Sequence, residues 1–329
     1  MEKILDIIIP QYSENEEKIK PLLDSINNQK NINFNDISVT IVNDASNILL
    51  NDSFLNGYDK LNIKYLINDR NTGPGLARQK GVDNTFGKYI MFCDSDDELY
   101  QDLALYYIIE FIKKKNPLYL VTNIVVEMID DDRIVNVVRK NKETFPWMHG
   151  KVYQRKFLLD NNIRFSLHVR HLEDTYYTNS ILGIIDLKEI NYFDCNTYLW
   201  KQNKESLTRK DDNIPYLVKI FDDYYNCAIY LYDFFKERGS KQKFNHLIMS
   251  SFGIFIALNS NLFDSYIDKR EEYLNKLKIY LENKKNIFKL YKREDLNKLY
   301  LHQVKELKIR NNIKNVYSTL EDFMNICIK

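Results

Sequence analysis

The order of its apolar runs limits this chain more than any other feature. ILDIII at residues 4–9, ISVTIV at 37–42, IKYLI at 63–67 and YIMFC at 89–93 are each too short for a buried helix. They are rich in β-branched and aromatic side chains, as strands covered on both faces are. The segments between them have a different period. Residues 14–28 place Ile19, Leu22, Leu23 and Ile26 at helical spacing, and residues 76–85 read as a second helix. Strands alternating with helices predict an α/β domain with a mainly parallel sheet and helices on both faces. Ligands of such sheets bind beyond the carboxyl ends of the strands. Pro10-Gln11-Tyr12, Asn43-Asp44, the loop NTGPG at 71–75 and the acidic run at 94–97 all fall there.

Further along, residues 103–115 read as an amphipathic helix. Residues 118–128 and 133–138 read as paired strands turned by DDD at 130–132, and 157–161 as a short helix. From residue 214 the pattern is helical only. IPYLVKIFDDYYNCAIYLYDFFKERGS opens with Pro215 near its start and Gly239 near its end, and four more helical segments follow without a fixed repeat. The boundary is placed at 212, giving an α/β domain over 1–212 and an all-helical C-terminal domain over 213–329.

With 44% hydrophobic residues, 329 residues suffice for one large or two ordinary cores. A net charge of +1 gives no global argument for nucleic acid or membrane binding. The charge is uneven, however. Residues 213–329 hold 20 Lys and Arg against 14 Asp and Glu, a net of +6, which leaves −5 for 1–212. Cys93, Cys195, Cys227 and Cys327 form no C-x-x-C pair, so free thiols and a cytoplasmic location are expected. The first apolar run is short and soon followed by carboxylates, so it reads as a strand and not as a signal peptide. No stretch reaches 18 apolar residues, and no transmembrane segment is expected.

Asp94, Asp96, Asp97 and Glu98 crowd into five residues, where each like charge raises its neighbour's pKa. A turn capping the next helix would need only one of them. A calcium loop counted from Asp94 would need Gly and Glu where Leu99 and Leu105 stand. A phosphatase-type nucleophile would be expected on the first strand, and this run follows the fourth. A divalent cation, Mn²⁺ or Mg²⁺, shared between these carboxylates and a diphosphate would relieve the repulsion.

Several segments then line up in order. They are DIIIPQYSENEEKIKPLLDSI, VTIVNDAS and NTGPGLARQKGVDNTFGKYIMFCDSDDEL. The second is similar to a V-D-D-G-S element and the third to an N-x-G-x-x-x-A-R-N-x-G block leading into Asp-x-Asp. Over residues 4–212 the chain resembles family 2 glycosyltransferases of the GT-A fold. Asn43, Ala45 and Gln79 depart from the usual Asp, Gly and Asn, and Ala45 is tolerable if its φ is negative.

The resemblance implies a nucleotide-sugar half over about 1–100 and an acceptor half over about 101–212. Pro10 and Tyr12 would frame the nucleobase, and Asp44 would accept from a pyrimidine N–H. Gly73, with Pro74 and Gly75, would let the backbone pass close to the nucleotide, and Arg78 would face the nucleotide or diphosphate. Asp94 and Ser95 would line the ribose, Asp94 and Asp96 would hold the metal, and Asp97 would cap the next helix. PWMHGKVYQRKFLLDNNIRF at 146–165 resembles the family's G-K-L-Y-R-R segment, and LHVRHLEDTYYT carries its E-D pair. Asp174 would then be the general base, beside Glu173. His149, Lys151 and Arg209 are candidate acceptor or diphosphate contacts. Lys201, Lys204 and Ser206 belong to a segment that would close over the donor. His168 and His171 lack the further ligands of a zinc site.

The implied enzyme is an inverting, metal-dependent hexosyl- or N-acetylhexosaminyltransferase. It would move one sugar from a nucleotide sugar, UDP-linked, to an acceptor hydroxyl. A wall polymer, a lipid-linked oligosaccharide, a protein and a modified DNA base are all open as acceptor, and an anionic polymer would suit the basic C-terminal third. That third also offers helices for contact between copies. Two alternatives stay open. A nucleotidyltransferase would want a glycine-rich basic loop where PQYSENEE is acidic. A catalytically inactive carbohydrate-binding or assembly protein would explain Asn43, but not the retention of Asp94, Asp96 and Asp174.

Overall fold

Burial on both faces explains three of the four apolar runs, and the half-exposed IKYLI is the exception. In the computed structural model β1 (Leu5–Gln11) lies between β2 (Ile37–Asn43) and β4 (Tyr89–Phe92), and β2 continues to β3 (Ile63–Ile67), all parallel. Leu5, Ile7, Ile8, Ile9, Val39, Ile41 and Met91 are completely buried, each such side chain contributing roughly 1.5–3 kcal/mol. Helix α1 (Glu16–Asn27) starts where the Asn15 side chain accepts from the Lys18 N–H. It buries Ile19, Leu22, Leu23 and Ile26, the four positions read from the sequence. A short α2 (Asp52–Asn56) follows, then α3 (Pro74–Asp83), opened by proline. Helix α4 (Ala104–Lys115) closes on left-handed Asn116.

The rest of this sheet is β5 (Glu98–Leu99), β6 (Tyr119–Asp130), β7 (Arg133–Arg139), β8 (Lys151–Gln154) and β9 (Ile190–Trp200), with helices α5 (Arg155–Asp160) and α6 (Glu173–Leu182). The strand order is β3-β2-β1-β4-β8-β6-β9-β5, with β7 paired to β6. β1 to β4 are parallel to one another, whereas β8 runs antiparallel to both β4 and β6. That reversal positions the site, because the start of β8 lies beside the carboxyl end of β4. β9, parallel to β6, then carries Tyr198 and Trp200 to the same rim beside β5.

The structure describes residues 3–130, 133–144, 147–201, 214–240, 242–311 and 313–329. The expected boundary at 212, part of the DDD turn, and Lys204, Ser206 and Arg209 lie outside them. The chain divides into two compact units, 1–207 and 208–329. The second unit contains α7 (Tyr216–Lys219), α8 (Phe221–Glu237), α9 (Gln242–Leu258), α10 (Ile267–Leu281), α11 (Lys285–Phe288), α12 (Arg293–Arg310) and α13 (Leu320–Phe323), followed by a π turn at Met324–Ile328. Its core is its own: Phe221, Phe252, Phe255, Leu277 and Phe323 are completely buried, and Phe252 meets Tyr300 and Phe323 edge-on. Among the described residues no helix is long and apolar enough to cross a membrane. All four cysteines are free thiols.

Candidate functional site

The ends of β1 and β2 form one wall. The buried Asp44 carboxylate accepts from Thr72 N (2.9 and 3.0 Å), Thr72 Oγ1 (2.8 Å), Gly73 N (2.7 Å) and Asn68 Nδ2 (2.7 Å). These bonds fix the NTGPG loop, in which Gly73 has φ +88° and a side chain would be strained. A carboxylate offers about four lone-pair sites. Asp44 thus organises the loop, and a pyrimidine N–H would have to share its oxygens with these donors. Asn43 donates to Ile48 O (3.0 Å) and Tyr65 Oη (3.1 Å) and accepts from Ser46 N (2.7 Å). An Asp at 43 could not make the two donations, which accounts for this departure from the family pattern. Ala45 sits at φ +58°, so the condition that made it tolerable is not met and its Cβ is strained. Pro10 is half-buried, and Tyr12 is 52% exposed at the rim.

At the end of β4, Asp94 accepts from Arg78 Nη2 (2.6 Å) and lies 3.1 Å from His149 Nε2. Arg78 is itself buried and donates through Nη1 to Glu173 (2.8 Å), while its Nε has no partner among the described residues. Burial works to raise the Asp94 pKa, but Arg78 and then His149 outweigh it and hold the carboxyl well below the usual range. Asp97 is buried more deeply. It accepts from Tyr198 Oη (2.7 Å) and Lys201 N (2.8 Å). Burial first, then Asp94 and Asp96, push its pKa up to about 8. It caps no helix, since β5 follows it and α4 begins only at Ala104. Lys201 pairs with Glu98 (2.6 Å).

Asp94, Asp97 and His149 each offer one ligand atom, all within 4.8 Å of one another. Two carboxylates and an imidazole fit a divalent ion, and the nitrogen donor favours Mn²⁺ over Mg²⁺. Asp96, expected to bind the ion directly, is half-buried and lies outside this set. His149 is stacked 5.7 Å from Trp200, which also packs against Trp147. The His149 pKa is lowered by burial but raised on balance by Asp94 and Asp97.

Lys151 corrects another expectation. It is completely buried and donates to Thr144 Oγ1 (2.8 Å), Thr144 O (3.0 Å) and His149 O (3.3 Å), and burial pushes its ammonium down to about 7. It braces the turn that presents His149 and does not face an acceptor or a diphosphate. Ser95 is buried in the acidic loop.

The third wall is the start of α6. Its N-cap is Leu172, at φ +62°, so Asp174 lies within the first turn and is not the cap. The half-buried Asp174 carboxylate accepts from Thr175 N (2.6 Å). Burial raises the Glu173 pKa although Arg78 opposes it. A Cβ at Gly75 would lie 2.9 Å from Glu173 Cβ and Cγ, so glycine is what lets α3 reach α6. Sequence reasoning missed Tyr198 and Trp200. Both stand at the start of the segment expected to close over the donor, YLWKQNKESLTR, where only its polar residues were singled out.

Comparison with known proteins agrees with this outline. The family model for glycosyl transferase family 2 matches residues 6–177. The teichoic acid poly(glycerol phosphate) polymerase of Staphylococcus epidermidis is 28% identical over 95% of this chain and 42% of its own length. The poly(ribitol-phosphate) beta-glucosyltransferase of Bacillus spizizenii is 26% identical over 53% of this chain and 28% of its own. The chain thus spans less than half the length of these two relatives. Among solved structures, S. aureus TarS 1–349 in complex with UDP-GlcNAc superposes with a TM-score of 0.66 at 19% identity, covering 93% of this chain and 88% of that one. At that identity the likeness speaks for the fold.

Proposed function

The chain belongs to glycosyl transferase family 2, and we propose that it moves a single sugar, with inversion, from a UDP-linked donor to an acceptor hydroxyl. The observation that carries this reading is the Arg78 bridge. One buried guanidinium joins Asp94 of the acidic loop to Glu173 of the E-D pair. The residues expected at the nucleotide therefore stand next to those expected at the acceptor.

The exposed Tyr12 ring and Pro10 receive the base, with the Gly73 loop beneath the nucleotide. Asp94, Asp97 and His149, with Asp96 beside them, hold Mn²⁺ or Mg²⁺. When bound, the ion neutralises charge on the leaving diphosphate. Asp174 takes the acceptor proton from the face opposite the leaving group. The nucleotide-sugar half is assigned to about 1–100 and the acceptor half to 101–212. A UDP-GlcNAc complex of a fold neighbour and two wall-polymer relatives support an N-acetylhexosamine or hexose donor and an anionic polymer acceptor. Four free thiols suit the cytoplasm.

A panel of nucleotide sugars, assayed for nucleotide release with and without excess EDTA, tests the proposal. Release of UDP from one UDP-sugar, abolished by EDTA, is expected. Full release in EDTA would remove the metal from the mechanism. Pyrophosphate formed from UTP and a sugar phosphate would make the chain a nucleotidyltransferase.

A further inference from the structure

The positive surplus of the second unit is confined to one stretch. From Lys276 to Arg293, KLKIYLENKKNIFKLYKR holds seven Lys and Arg and one acid, Glu282, a net of +6. The rest of 213–329 is therefore neutral, with 13 basic and 13 acidic residues. The stretch runs from the end of α10 through α11 to the start of α12. Lys276 pairs with Glu272 and Arg293 with Glu321, and Lys284 lies on the Tyr280 ring at 3.9 Å. Lys278, Lys285, Lys289 and Lys292 have no ion-pair partner among the described residues. They are spread from the last turn of α10, through the start and end of α11, to the residue before α12. Lys278, Lys289 and Lys292 are exposed and Lys285 is half-buried.

Two aliphatic side chains are set among these lysines, Ile279 and Leu290, each 70% exposed. Their chain neighbours Leu281 and Phe288 are buried and anchor the stretch. A soluble polyanion would engage the lysines and leave Ile279 and Leu290 in water. A bilayer with anionic headgroups engages both kinds, the ammonium groups at the phosphates and the aliphatic groups at the acyl boundary. We propose that the face formed by Lys278, Ile279, Lys285, Lys289, Leu290 and Lys292 docks the chain on a bilayer surface bearing anionic phosphate headgroups.

The test uses the full chain and sedimentation with vesicles of phosphatidylcholine alone or with about one-third phosphatidylglycerol. Binding to the anionic vesicles only is expected, weakening at high salt as surface charge is screened. The variant K278Q/K285Q/K289Q/K292Q should bind about 10²–10³-fold more weakly, from about 1 kcal/mol per surface lysine. I279S/L290S, with every lysine kept, should bind at least about tenfold more weakly. None of the six side chains is buried, so circular dichroism should match wild type. If a combined variant unfolds, Lys289→Gln and Leu290→Ser alone carry the comparison. Equal partition onto neutral vesicles, no partition at all, or full binding by I279S/L290S would overturn the proposal. Retention on soluble polyphosphate without vesicle binding would reassign the face to a polymer.

Discussion

Arg78 shows how one residue type decides what a site can be. Its planar fork meets Asp94 and Glu173 at once, which a lysine point charge could not do. The same pairing limits Glu173 as a base, because its carboxylate is already engaged. Among the described residues, Asp174 accepts only from the Thr175 N–H. Asp174→Asn should therefore lose transfer by about 10²–10⁴ while binding donor and metal normally. Since Asp174 is not the helix cap, the melting temperature should barely move. Near-normal transfer would hand the proton to Glu173 or another carboxylate. His149→Ala should weaken Mn²⁺ binding by about 10–100-fold, read by electron paramagnetic resonance of free Mn²⁺ in the absence of donor. Undiminished affinity would return the ligand role to Asp96. The motif spacing made Asp94, Arg78 and Glu173 legible in the sequence. The contact of His149 with Asp94, the burial of Lys151 and the bonds of Asp44 to the NTGPG loop were not legible, because each depends on what packs around it.

Elements were legible where an apolar or β-branched run was long enough to stand out, whether buried like β1 or half-exposed like β3 and β7. β1, β2 and β4 are buried almost throughout, so their runs are continuous and apolar. β5 has two residues, β8 has four, and β9 loses its alternation of half-buried and exposed side chains across a register shift. None of these carries a period a reader could count. The turn after β2 illustrates a cost hidden from sequence. Ala45 at φ +58° carries about 1–2 kcal/mol of backbone strain, partly offset by the chain freedom that glycine would add to the unfolded state. Ala45→Gly should raise the denaturant midpoint, by roughly 0.5–1 kcal/mol in stability. Destabilisation would mean that the turn has another constraint. In the second unit, His246 on α9 bonds Ala228 O on α8 (2.9 Å), and burial pushes its pKa down to about 4. The unfolded chain takes up this proton near pH 6.5, the folded chain only near 4. The stability from the neutral imidazole is therefore present above about 6.5 and lost as pH falls toward 4, by about 2–3 kcal/mol. His246→Gln should flatten that part of the stability profile. An unchanged slope would assign the acid sensitivity to carboxylates.

For the whole molecule, the loss of strand signal after residue 200 marks two kinds of structure in one chain, and the two hydrophobic cores have no residue in common. Both tryptophans, Trp147 and Trp200, belong to the first unit and pack on each other, Trp200 also stacking on His149. Tryptophan fluorescence therefore follows the α/β unit alone, whereas far-ultraviolet circular dichroism also follows the helices of the second. A ligand that binds only the native first unit stabilises that unit by RT ln(1 + [L]/Kd), about 2.7 kcal/mol at a hundredfold excess over Kd. For a unit of this size, 1 kcal/mol moves the midpoint by about 2–4 °C. UDP with Mn²⁺ should thus move the fluorescence midpoint up by roughly 5–10 °C. The part of the circular dichroism transition that belongs to the second unit should stay where it was. One shared transition that shifts as a whole would mean that the units unfold together. A fluorescence midpoint unmoved by UDP and Mn²⁺ would remove the nucleotide from the first unit, and the assignment of Asp94, Asp97 and His149 with it.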